Sequence, residues 1–489
     1  MTTHEKHAKD AEPELHPVKF SRLSKRGILL GLSLAQLIAI GVAIAAFVLG
    51  LYTGGQTVLY LGVVWLPALL VAVIRVGGRS LVEWLPIGLA WMWRSVTGQT
   101  RYRRRIVKPR PAGTLALPGD AAALRQYVDP ETGAVMVHDP HAQMLTVLRE
   151  ITHPSFVLLD PGEQERRVQA WGRVLATGCR SGRIARIQVL ERTIPDSGTG
   201  LAQWWASQGV DDGSWVANTY KELIDRAGPA GERHVSTLSL SLDMKAAARQ
   251  VRTAGRGLRG AAAVLKQEMT TLTTALRAVD LDASDWYTPG QLAIMLRTAY
   301  DPQIAATLDR AGDIGQDLAT AGPVAVEERW DRLRSDSAWH AVLWISEWPR
   351  SQVFPGFLSP LLLTGGIRRA VTLLYDPIRA DVAARDVRKR KTEHISDQAQ
   401  RRRIGQIEDA EQSAELQDVL QQEADLISGH GILRFTGLVA VSADTGPELD
   451  AAVAAIEQAA VQASCETRRL VGQQASAFAA AALPLGRGL

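Results

Sequence analysis

Cysteine is nearly absent from this 489-residue chain, which holds only Cys179 and Cys465. That scarcity excludes a disulfide scaffold, a four-cysteine zinc site and a Cys-x-x-Cys redox centre. Also missing is Gly-x-x-x-x-Gly-Lys-Ser/Thr, whose amides, lysine and hydroxyl would hold nucleotide phosphates and a metal. The only lysine followed by Ser or Thr is Lys391, and Arg390 precedes it. Gly255-Arg-Gly-Leu-Arg-Gly260 and Gly365-Gly366 lack the strand-turn-helix setting of a dinucleotide site. A strong excess of one charge is lacking too. The net charge is +4, with basic residues mostly spread among acids, so composition gives no strong argument for nucleic acid. At 22% charged and 46% hydrophobic, the chain can fold compactly, and its length suits two to four structural units.

Charge is missing altogether from the 48 residues between Arg26 and Arg75. The run divides at Thr53-Gly54-Gly55-Gln56 into residues 28–50 and 57–74. As helices these reach roughly 34 Å and 27 Å, against a hydrocarbon core of about 30 Å. Pro67 falls mid-segment, where a neighbouring helix tolerates it. The reading is a transmembrane hairpin over 27–75. A signal peptide fits poorly, because the run starts late, is doubled and has no convincing cleavage site. Lys19, Arg22, Lys25 and Arg26 precede the hairpin, Arg75 and Arg79 follow it, and the turn is uncharged. The positive-inside rule then puts the tail 1–26 and everything after Arg75 in the cytoplasm, at the cell (inner) membrane.

Residues 81–93 are too short to span. Trp84 and Trp91 share a helical face, Trp93 follows, and Glu83 marks a wetter side. Arg94, Arg101, Arg103, Arg104, Arg105, Lys108 and Arg110 come next with no acid among them. Tryptophans beside a basic run suit an interfacial helix on an anionic leaflet, so 76–114 reads as that helix plus a basic linker stiffened by Pro109 and Pro111. The competing reading is a helix packed on the soluble body.

Beyond it the pattern is α+β. Strands are expected at 134–138, 144–151, 156–159, 184–192 and 234–242, with helices at 163–177, 201–227 and 244–279, the last softened at Gly255–Gly260. A similar order returns with strands at 339–348, 367–374, 432–442 and 465–470 and a helix at 447–463. The fold class is a membrane-anchored α+β chain with two repeated halves, 115–280 and 335–489, around a helical connector 281–334. A polar helix is expected over 376–428, with Pro377 at its first position. It carries Arg388, Lys389, Arg390, Lys391, Arg401, Arg402 and Arg403, then an acidic second half. It reads as a solvated surface helix, as a hairpin folded near Gly405 that pairs the two signs, or as an arm for a partner.

No catalytic, cofactor or metal constellation emerges. Asp196-Ser197-Gly198 and Asp444-Thr445-Gly446 read as helix caps rather than paired protease loops. His138-Asp139-Pro140-His141 reads as a turn, and Cys179 as a half-buried thiol, although Arg180 and Arg183 could lower its pKa.

Arg26-Gly-Ile-Leu-Leu-Gly, the uncharged hairpin and Gly78-Arg-Ser-Leu-Val-Glu-Trp-Leu-Pro86 resemble PrgI-type proteins, the two-helix membrane subunits of conjugative type IV secretion systems. Phe156-Val-Leu-Leu-Asp160, Trp344-Ile-Ser-Glu-Trp348, Gly429-His-Gly431 and Gly472-Gln-Gln-Ala-Ser-Ala-Phe478 resemble the non-catalytic amino-terminal domain of the large conjugation ATPase. In those relatives the stretch ending here at Ala482-Leu-Pro-Leu-Gly486 leads toward the nucleotide domain, which these residues do not include. The resemblance implies a non-catalytic scaffold that self-associates and docks a separate P-loop ATPase at the membrane lipids. The alternatives are a membrane-bound enzyme without a readable motif, and a membrane-tethered DNA-binding protein using Arg101–Arg105 or Arg388–Arg403.

Overall fold

The structure, a computed structural model, describes Phe20 and residues 32–76, 79–105, 113–152, 156–196, 199–227, 231–279, 281–311, 317–404, 410–428 and 431–488. Most of the tail 1–26, the linker residues 106–112, Ser197-Gly198 and Gly405 therefore lie outside it.

Two apolar helices come first, α1 (Leu34–Thr53) and α2 (Gly55–Val73). Ser33 and Gln36 form a capping box that starts α1, six residues later than hydropathy alone suggests. Gly54 alone makes the turn, with φ of +126°, which a side chain would oppose. A two-strand ribbon, β1 (Arg75–Val76) and β2 (Arg79–Ser80), leads into α3 (Leu81–Val96).

The rest is built on one antiparallel sheet, thirteen-stranded among the described residues. In chain order its elements begin with β3 (Arg101–Arg103), β4 (Arg125–Val128), β5 (Val135–Asp139), β6 (Met144–Thr152), α4 (Pro161–Ser181) and β7 (Ile184–Pro195). They continue through α5 (Thr199–Gln208), α6 (Trp215–Ala227), β8 (Glu232–Asp243), α7 (Ala248–Thr253), α8 (Gly257–Arg277), β9 (Asp282–Trp286), α9 (Pro289–Tyr300) and α10 (Ala305–Ala311). Then come β10 (Ala325–Glu328), β11 (Leu333–Ser335), β12 (Ala338–Glu347), α11 (Ser359–Leu363), β13 (Arg368–Ile378), α12 (Ala380–Ile404) and α13 (Ala410–Ile427). β14 (Ile432–Ala443), α14 (Gly446–Gln462), β15 (Glu466–Arg469) and α15 (Gln474–Ala482) complete the fold.

The strand path is β3-β10-β11-β12-β14-β13-β7-β8-β6-β5-β4, with β9 beside β6 and β15 beside β12. From the central β7–β13 pair outward, one side runs β7-β8-β6-β5-β4 and the other β13-β14-β12-β11-β10. The order is the same on both sides, so an approximate two-fold axis passes through that pair. Helix insertions follow the same plan: α5–α6 links β7 to β8, and α12–α13 links β13 to β14.

Side chains alternate cleanly across the sheet. Leu438 and Ala440 join Leu148, Leu190 and Val342 in a core shared with α9 and α15. Val439 and Val441 face the opposite side, under α14, while α4 and α8 cover Leu145, Leu238 and Leu240. The segment after α15 is strapped across the shared face. Gln188 donates to Leu483 O at 3.0 Å and accepts from the Gly486 amide at 2.8 Å, and Ser239 donates to Pro484 O at 2.7 Å.

Several expectations change. Phe156–Leu158 is a 3-10 turn, not a strand. The helix expected at 201–227 breaks between Gln208 and Trp215, around Gly209 and Gly213, while the softening expected at Gly255–Gly260 is a full break between α7 and α8. The connector 281–334 is not all helical. It contains β9, β10 and β11, so the repeated order runs over 125–300 and 325–482. Asp376 and Pro377 do not open a helix but belong to β13, paired with Arg434 and Leu433. Of the readings open for the polar stretch, the single straight helix fails and the two-helix one holds, with Lys391 meeting Glu423 between α12 and α13 at 2.6 Å.

Candidate membrane anchor and its junction with the body

The α1–α2 hairpin packs tightly because small residues meet at its crossing. A Cβ on Gly50 would lie 2.9 Å from Val58 Cα, the close approach that small residues give helices in lipid. Near the open end the buried Gln36 side chain donates to Ala72 O at 2.9 Å, satisfying a polar group among apolar neighbours. Phe47 meets Trp65 edge-on at 5.4 Å. Outside this seam Leu34, Ile38, Val42, Leu59 and Val63 are exposed. Both helices are long and apolar enough to cross a membrane.

Helix α3 has two different faces. Ile87, Trp91 and Arg94 point to the body. Trp91 packs edge-on against Trp330 at 5.2 Å, and Arg94 Nη1 donates to Glu328 Oε2 at 2.8 Å. Arg94 also donates to Gly472 O. Gly472 is at φ +66°, and a Cβ there would press on Trp330 and Ile87. Glu328 is buried, and its other oxygen accepts the Ala475 amide at the start of α15 at 3.1 Å. On the opposite side Leu85, Leu89, Met92, Trp93 and Val96 form an exposed apolar stripe at helical spacing. The packed-helix reading holds for the first face, and the second is an exposed apolar stripe. Trp91 belongs to the body side, whereas Trp93, 68% exposed, belongs to the free stripe.

The basic residues after α3 are not all linker. Arg101 and Arg103 sit on β3, whose register pairs Arg101 with Glu327 and Arg103 with Ala325. Arg104 Nη1 donates to Thr320 O at 3.4 Å, and Arg105 is exposed. The other candidate cluster lies on α12, far along the chain. Arg390 pairs with Asp386 at 2.9 Å, Lys389 with Glu393 at 3.8 Å, and Arg388 is exposed. Arg401, Arg402 and Arg403 fall on the last turn of α12, with their side chains outside the described set.

Sequence reasoning missed three features. Trp330 and Glu328, which no local pattern marks, receive α3 together with Gly472, which the sequence singles out only as the start of Gly472–Phe478. Arg334 on β11 joins the β3 arginines at a groove. Phe20, ahead of the hairpin, sits among Trp348, Phe357 and Phe435 with ring centroids 5.3, 5.5 and 5.7 Å away. That contact holds the chain before α1 against the body that follows α2.

The residues considered for chemistry have the following surroundings. His138 and Asp139 end β5, and Asp139 accepts the His141 and Ala142 amides at 2.9 and 3.0 Å, so the turn of this stretch begins at Pro140. Burial raises the Cys179 pKa and outweighs the neighbouring Arg180 charge, leaving a weakly nucleophilic thiol. Burial likewise pushes Cys465 up to about 11. Thr445 caps α14, and Asp444 holds Arg368 through both carboxylate oxygens. His340 is buried between Ser335 at 2.7 Å and Ser442 at 2.8 Å, and burial pushes its pKa down to about 3. A nearby cleft lined by Arg192, Thr298, Arg368 and Ser442 holds about 30 Å³, space for little more than a water. Among the described residues no three His, Cys, Asp or Glu side chains gather as metal ligands would.

Comparison of the chain with family models and with curated proteins returns no match.

Proposed function

We propose that the chain is a non-catalytic membrane scaffold of a conjugative type IV secretion machine, one that docks a separate P-loop ATPase and further copies of itself. The observation that carries the reading is the two-faced helix α3. One side is clamped to the body by Trp330, Glu328 and Gly472, and the other presents an apolar stripe beside two helices long enough to cross a bilayer. Such a helix holds a large body at the membrane surface in a fixed orientation. The contact of Phe20 with Trp348 fits a tail and body in one compartment, the cytoplasm by the charge rule.

The α12–α13 hairpin is the proposed partner arm. Its basic residues are partly spent on ion pairs within the arm, which favours a protein partner over nucleic acid. Co-purification from detergent-solubilised membranes tests the reading. A P-loop ATPase should accompany the full chain, and its partner-dependent activity should fall when residues 28–74 are deleted. Unchanged capture of the ATPase after removal of 115–489 would contradict docking by the body. Hydrolytic activity of the purified chain alone would favour an enzyme instead.

A further inference from the structure

We infer that the edge strand β3 and the groove beside it bind the headgroup of an anionic phospholipid, an inference that rests on the membrane-anchor reading above. The groove has a volume of about 420 Å³ and is lined by Arg101, Tyr102, Arg103, Glu327, Arg334 and Asp336, among others. Three strands contribute its charge. Register aligns Arg101 with Glu327 and Glu327 with Arg334, so these side chains share one face of the sheet, and Arg103 lies two residues along that face from Arg101.

The charge balance in the groove is positive. Asp336 is already neutralised, since Arg297 meets it at 2.9 Å and it accepts the Val324 and Ala325 amides at 2.9 Å each. Glu327 is divided between Arg101 at 3.9 Å and Arg329 at 3.8 Å, contacts too long and too exposed to fix either. Arg334 lies over the Trp339 ring at 5.3 Å. Among the described residues no carboxylate comes within 4.0 Å of Arg103 or Arg334. These guanidiniums present forked donors that match phosphate oxygens.

Position selects a lipid over other phosphates. Val96, the last member of the apolar stripe on α3, is only five residues before Arg101. A Gly98 turn at φ +71° brings the chain directly from the stripe into β3. An acyl chain beside Met92, Trp93 and Val96 would therefore carry its headgroup toward the groove. Apolar stripe and arginines together suit a lipid better than a duplex, which offers phosphate without an apolar tail.

The full chain in nanodiscs of equal parts phosphatidylcholine and phosphatidylglycerol, assayed for co-retained lipid after detergent extraction, tests this. The wild type should retain phosphatidylglycerol preferentially. Each of Arg101→Gln, Arg103→Gln and Arg334→Gln should lower that preference about fivefold. Glu327→Gln should raise it, a gain that a merely misfolded variant could not produce. An unchanged preference in all four variants, or displacement of the lipid by a duplex DNA fragment, would overturn the proposal. If the chain stays in carbonate-washed membranes but shows no lipid preference, the headgroup site fails and the anchor stands; release by carbonate would sink the anchor itself.

Discussion

At Glu328 both carboxylate oxygens are engaged on a buried side chain, one by Arg94 and one by the Ala475 amide. Replacing it with Gln keeps the shape and removes the charge. Glu328→Gln should destabilise the junction by about 1–2 kcal/mol, because Arg94 is partly solvated and finds water instead. Thermal melts and protease cutting near residues 94–99 would read this; an unchanged melt and cutting pattern would remove Glu328 from the clamp. His340 makes a separate demand. Its ring stays neutral in the fold, with a pKa near 3, but takes a proton at about 6.5 when unfolded. Its contribution is complete above that pH and declines as pH falls toward 3, by about 2 kcal/mol at pH 5. His340→Gln should flatten the acid limb of the stability curve; an equally steep limb would assign the loss to other groups. Little of this was legible in the sequence. Periodicity correctly groups Trp84 with Trp91, but it cannot say whether that face meets lipid or protein. Arg94 looks like one of a solvated run because its partner lies 234 positions away.

Elements were easier to read where apolar alternation is long. β7, β8, β13 and β14 carry enough apolar or β-branched residues to announce themselves, although their ends extend beyond the pattern. β10 and β11, Ala-Val-Glu-Glu and Leu-Arg-Ser, are too short and too charged to register as strands. A hairpin at α12–α13 is one of the readings that the sequence leaves open. Its buried Ala383, Val387 and Val419 are few among many polar residues, a weak signal beside Arg388–Lys391. Because Ile378 pairs with Ile432, residues 379–431 can be replaced by a short turn between adjacent strands. That variant should fold and stay in the membrane while losing the co-purifying ATPase; full retention of the ATPase would move the docking site off the arm. In the anchor, Gly50→Leu should force α1 from α2 at Val58 and lower detergent stability by about 1–3 kcal/mol. An unaffected melt would mean that the hairpin seam is looser than its geometry.

For the whole molecule, element order hinted at two halves, but nothing local reveals that β7 pairs with β13 to join them in one sheet. Strand partners far apart in sequence leave no neighbouring trace, since each face only needs some apolar surface opposite. The apolar hairpin is the reverse case. An uncharged run of 48 residues is legible at once as two long apolar helices, because its pattern does not depend on distant partners. The account depends on that run crossing twice and returning the chain to the side where it began. Impermeant maleimide labelling of intact cells tests it directly, using single cysteines at Thr2, Gln56 or Gly488 after both native cysteines are changed to Ala. The account predicts that Gln56→Cys labels from outside, while Thr2→Cys and Gly488→Cys label only after lysis. Labelling of Thr2→Cys and Gly488→Cys from opposite sides would contradict it.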